Sequence, residues 1–181
     1  MAEHKHEIVN PRTGQRMLFL KTSDDTHGEL LQIECFSPPH GPMEPEHVHP
    51  RQEHRFQVLS GSLAFRIRGE ETIVREGGAI TIPPNAPHHF WNSGEEEAHY
   101  IQEFRPALRI DLFFETLFGL ARDGKLNDRG VPNLLQAAVL VPDFSDEIRL
   151  TRPPWAVQRA VFAVLAPMAR LRGYRASPKS R

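Results

Sequence analysis

From residue 15 to residue 105 the chain is cut into short runs of strand-forming residues, each closed by glycine, proline or a small polar residue. Strand character reads over residues 15–22, 29–36, 54–60, 63–68, 71–75, 79–83, 88–92 and 98–105. Gly61, Gly69, Gly77-Gly78, Pro83-Pro84-Asn85 and Ser93-Gly94 separate the later runs, and a Pro-Arg-Thr-Gly turn at 11–14 precedes the first. Many short strands at this spacing predict a mainly β domain, a sandwich or barrel.

The pattern changes near Pro106. Ile110, Phe113, Phe114, Leu117, Phe118 and Ala121 recur at helical spacing, and Gly124 stops the run. A second helix is expected from Pro132 to Val141, ended by Pro142. A third is expected over 154–172, with Val157, Val161, Val164, Leu165, Met168 and Leu171 on one face and Pro167 breaking or kinking it. The chain therefore divides into a β domain over 7–105 and a helical extension over 106–175. The apolar side of the extension is expected to pack on the β domain or on a second copy, giving a homodimer. Residues 170–181 carry five Lys or Arg and no Asp or Glu, so a membrane-surface anchor is the alternative.

Composition narrows the classes. A net charge of −1 leaves no nucleic-acid footprint. A single cysteine, Cys35, makes no internal disulfide. The start, MAEHKHEIVN, lacks the apolar core of a signal peptide, and no uncharged apolar run spans a bilayer, so a cytoplasmic location is expected. His4 and His6 lie in a polar N-terminus read as mobile and take no role.

Six of the ten histidines fall between His40 and His89. His47 and His49, two apart on a strand, face one side, and His88 opens a separate strand after a proline-rich turn. Three imidazoles converging from two strands suit Fe, Ni, Cu or Zn. His27, His40, His89 and His99 read as surface or core residues, and Arg66 and Arg68 as a solvated face. Trp91 falls on the outer face.

The spacing around these histidines resembles the paired motifs of the cupin superfamily. Gly41, five residues, His47-x-His49 and, later, Gly61 follow the first motif. Gly77, five residues, Pro83-x-Asn85, two residues, His88, three residues and Asn92 follow the second. Asn85 replaces a glycine, a mild change because Asn tolerates the left-handed backbone. The glutamate slot holds His54 when counted back from Gly61, with Glu53 beside it; alternation puts His54 on the face of Phe56 and Val58.

The resemblance covers roughly residues 15–105. It implies a double-stranded β-helix of jelly-roll type and a divalent transition metal (Fe, Ni, Cu, Zn or Mn) on His47, His49, His54 and His88. Phe56, Val58, Phe65 and Ile67 are expected to line an apolar pocket for a small organic ligand. With no nucleophile motif and no phosphate loop, any catalysis rests on the metal. Dioxygenase-like chemistry is the first reading; a non-catalytic binding cupin and an interaction or membrane-surface module are the others. Ligating imidazoles must be neutral, so metal affinity should fall as pH drops through about 6.5.

Overall fold

In sequence order the chain folds as β1 (His6–Val9), β2 (Arg16–Lys21), β3 (Leu31–Ser37), β4 (His47–Val48), β5 (Glu53–Ser60), β6 (Ser62–Ile67), β7 (Glu70–Arg75), β8 (Ala79–Ile82), β9 (His88–Asn92), β10 (Ala98–Arg105), α1 (Ile110–Arg122), α2 (Leu134–Asp143), β11 (Arg149–Leu150) and α3 (Trp155–Leu171). The computed structural model describes residues 6–41, 43–127 and 130–176. His4, Lys179 and Arg181 lie outside them, and so does part of the basic C-terminal run.

Two sheets form, ordered β1-β2-β3-β10-β5-β8 and β11-β4-β9-β6-β7. The strand pairs are antiparallel. Alternation decides which face turns inward. In β3, Leu31, Ile33 and Cys35 are buried between the less buried Gln32 and Glu34; in β10, Ala98, Tyr100, Gln102 and Phe104 are buried. The inward faces meet in a core where Phe56 lies 4.8 Å from both Phe65 and Phe90, ring centre to ring centre. Fully burying one such ring stabilises the fold by roughly 1.5–3 kcal/mol.

The turns explain their residues. Gly61 sits at φ 76°, and a Cβ there would come within 3.1 Å of Ala98 and Glu97 backbone atoms. Asn85 adopts φ 61°, the left-handed conformation that asparagine tolerates. Asn92 donates through Nδ2 to the Ser37 and Glu96 carbonyls and accepts from the Gly94 N–H, which ties the β9–β10 turn to β3.

The tail packs inward. Ile110 and Phe118 of α1 belong to the barrel core, with Phe113 and Phe114 against it. Leu120 and Ala121 meet Leu126, Leu140 and Phe144 in a second cluster, and Val139 meets Ala166 and Ala169 in a third.

Several elements differ from the sequence expectation. His6, read from sequence as part of a mobile terminus, opens a strand: His6–Val9 pairs with β2. α2 starts at Leu134 rather than Pro132, because the Asn133 side chain accepts from the Gln136 N–H and caps it. It continues through Pro142 to Asp143. α3 runs past Pro167 to Leu171. The donor lost at Pro167 would have faced the Ala163 carbonyl, and both residues are exposed, where water satisfies an orphaned carbonyl. α3 also buries Phe162, Ala166 and Ala169 rather than the expected valine face. No helix among the described residues is long and apolar enough to cross a membrane.

Candidate metal centre

The barrel assembles its histidines from three strand segments and the residue that follows one of them. His47 opens β4, His49 lies just beyond it, His54 is near the start of β5, and His88 opens β9. β4 and β9 pair with His47 opposite His88, their ring centres 4.4 Å apart. Each offers one nitrogen such that His47, His49 and His88 form a group within 4.8 Å of one another, all buried.

Each ring is oriented from behind. His47 Nδ1 donates to the Pro45 carbonyl at 2.9 Å, His88 Nδ1 to the Ala86 carbonyl at 2.9 Å, and His49 Nδ1 to the Glu147 carbonyl at 2.7 Å. Fixing the Nδ1 proton leaves Nε2 as the lone-pair nitrogen. His49 Nε2 and His88 Nε2 are buried without a partner. A buried acceptor left unpaired costs free energy; these two nitrogens sit on rings that, with His47, gather their ligand atoms within 4.8 Å, a donor set that fits a borderline or soft divalent metal.

Burial also removes charge. Desolvation, then repulsion among neighbouring imidazoles, holds His47 well below the usual histidine range. The same causes bring His49 down to about 3. The rings are thus neutral and ready to ligate.

His54 is buried and Glu53 is exposed. Counting back from Gly61 thus selected the inward residue. His54 does not join the metal-competent group. Its ring is stacked on Phe104 with centres 4.0 Å apart, and its Nε2 donates to Gln102 Oε1 at 2.9 Å. Gln102 Nε2 in turn donates to Cys35 Sγ at 3.1 Å. His54 Nδ1 remains buried and unpaired. The other histidines lie elsewhere: His99 is bound to Glu34 at 2.8 Å, His40 to Glu95 at 3.1 Å, and His89 stands edge-on to Trp91.

A cavity of about 230 Å³ opens from the histidines towards the helical tail. His47, His49, His54, Gln102 and Phe104 form its barrel side; Phe113, Phe114, Leu117, Phe118, Leu140 and Ile148 form its tail side. Phe56, Val58 and Phe65 are placed in the hydrophobic core, with Ile67 packed against it, and do not line this cavity. Inward residues of β5 and β6 fill one another's space, with the Phe56 and Phe65 ring centres 4.8 Å apart. Trp91, on the outer parity of β9, still borders the cavity.

The tail contribution was missed from sequence. β11 pairs with β4, placing Leu150 opposite His47. Thr151 Oγ1 donates to Glu46 Oε2 at 2.6 Å. Glu147, buried, supplies the carbonyl for His49, while its carboxylate accepts from the Arg109 N–H at 3.3 Å. A two-residue strand carries no periodic signal, so only the pairing in space reveals it.

Comparison with known proteins places this geometry. Residues 35–102 match the cupin domain family. An oxidoreductase of Arthrobotrys oligospora is 27% identical over 157 residues, 82% of this chain. The chain spans 59% of that relative's length. Among solved structures, a predicted oxalate decarboxylase from Thermotoga maritima superposes with a TM-score of 0.50 at 18% identity, covering 56% of this chain and 91% of the other. An RmlC-like cupin from Shewanella frigidimarina gives a TM-score of 0.50 at 18% identity, with 61% and 92% covered. At these identities the structural likeness concerns the fold.

Proposed function

Because the chain belongs to the cupin superfamily, we propose that it is a metalloprotein that holds one divalent transition metal on His47, His49 and His88 and acts on a small organic molecule in the adjoining cavity, with oxygenase chemistry as its reaction class. The observation that carries the reading is the set of three buried imidazoles, each held at Nδ1 by a backbone carbonyl and each presenting Nε2 to one point. The resemblance of 27% to an oxidoreductase supports the reaction class. His54 is a fourth candidate ligand through Nδ1.

Such a metal supplies Lewis acidity and, where it is redox-active, one-electron chemistry. The protein residues do the rest. The Pro45, Ala86 and Glu147 carbonyls keep the three rings neutral and in one orientation. Gln102 holds His54 by its Nε2–H. Phe104, Phe113, Phe114 and Phe118 wall the cavity with apolar surface that excludes water and takes up the carbon skeleton of the ligand.

Oxygen uptake by the metal-loaded protein, measured against a panel of small aromatic and aliphatic compounds, tests the reaction class. Consumption by the wild type that is abolished in His88→Ala supports it. Ligand binding without oxygen uptake across the panel would leave a binding cupin and sink the oxygenase reading.

The same reading includes a homodimer. Val157, Val161, Val164, Met168 and Leu171 are exposed on α3. They recur at alternating steps of four and three, the a/d spacing that pairs one helix with another.

A further inference from the structure

One carboxylate of the cavity has no part in the metal centre. Glu44 lies on the cavity wall together with His47, His49, His54 and Gln102. It is not part of the metal-competent group. Among the described residues no hydrogen-bond or ion-pair partner reaches it. The other inward or half-buried carboxylates nearby are all engaged: Glu34 with His99, Glu46 with Thr151, Glu103 with Gln32 and Glu147 with Arg109.

We propose that Glu44 is the ligand-recognising group of this cavity, its carboxylate accepting a hydrogen bond from the hydroxyl of a neutral aromatic ligand whose ring lies among Phe90, Phe104, Phe113, Phe114 and Phe118. The inference rests on the reading of the cavity as a small-molecule site and goes on to name the ligand's chemistry.

Charge selects a neutral ligand. An organic cation would meet the dication held on His47, His49 and His88, and an organic anion would meet Glu44 itself. A neutral hydroxyl offends neither and supplies the donor that Glu44 lacks. Burial alone pushes the Glu44 carboxyl up to about 7, so its ionised form is under-solvated and gains from a donor more than a surface carboxylate would. Tyr100 and Cys35, the titratable groups of β10 and β3 on that side, are both raised by burial and stay protonated and neutral, so neither competes as an anion.

Shape selects an aromatic ring. The walls carry five phenylalanines from three elements, β9, β10 and α1. Such walls favour a flat ring through offset and edge-on contacts.

The test uses the full chain loaded with zinc, with 2-naphthol and 2-methoxynaphthalene as probes; the methyl ether keeps the ring and removes the donor. Calorimetry on the wild type should show a preference of about tenfold for 2-naphthol, the size expected of a hydrogen bond to a charged acceptor. Glu44→Leu should erase the preference, and Glu44→Gln, which keeps an acceptor without charge, should retain a smaller one. Both variants should keep the wild-type zinc content. A preference that survives in Glu44→Leu, or zinc lost in either variant, overturns the role assigned to Glu44 while leaving the small-molecule reading in place. Failure of both probes to bind the wild type overturns that reading together with the proposal.

Discussion

A buried imidazole that is neutral in the fold and titrates freely in the unfolded chain makes stability depend on pH. His47, His49 and His54 are held below the ordinary histidine range by burial, so the unfolded state binds more protons in acid. Their stability contribution is complete above about pH 6.5 and is lost as pH falls towards the folded values, about 3 for His49, at up to about 1.4 kcal/mol per pH unit for each group. Thermal melts of the metal-free protein should therefore be flat above pH 7 and fall steadily below 6.5; a melting temperature constant to pH 4.5 would contradict the burial of these rings. Burial also moves metal release. The sequence alone places it near 6.5, the value of a solvated histidine, whereas rings already neutral in the fold should retain metal at pH 5.5, as dialysis followed by element analysis will show. At the neighbouring position, Gln102 joins His54 to Cys35. Gln102→Leu leaves the His54 N–H unpaired in a buried setting, and chemical denaturation should report a loss of about 1–3 kcal/mol.

The helical tail completes the centre as an element rather than as a covering. β11 pairs with β4, and the residue that holds His49 from behind, Glu147, comes from the turn between α2 and β11. Truncation after Arg105 should cost metal as well as melting temperature; a truncated barrel with full metal content would show that the Glu147 carbonyl is dispensable. Phe118 joins α1 to the barrel core and borders the cavity, so Phe118→Ala should destabilise by about 3–5 kcal/mol, read by denaturant midpoint. The strands that carry alternation, such as β5 with His54, Phe56 and Val58 inward, were legible in the sequence, because a period of two is written into the residue types. So were the turns at Gly61 and Asn85 and the convergence of His47, His49 and His88. β1 and β11 were not: they are short, and pairing rather than propensity makes them strands. The cavity wall was misplaced for a related reason. Parity tells which residues point inward, but whether an inward residue such as Phe65 meets a cavity or another ring depends on barrel closure and on α1 arriving from residues far along the chain.

At the scale of the molecule, the exposed stripe Val157, Val161, Val164, Met168 and Leu171 should hold two copies together. Light scattering is expected to give a dimer for the wild type and a monomer for Val164→Glu, at unchanged metal content; a monomeric wild type removes the stripe's assigned role. The larger claim is that the barrel exists to bring three neutral imidazoles to one point, from β4, the residue after it, and β9. Metal content per chain tests it most directly. Element analysis of the purified protein should find one divalent transition metal per chain in the wild type, and almost none in a His47→Ala, His49→Ala, His88→Ala variant whose circular dichroism still shows the β fold. Full metal occupancy in that folded triple variant would contradict the account.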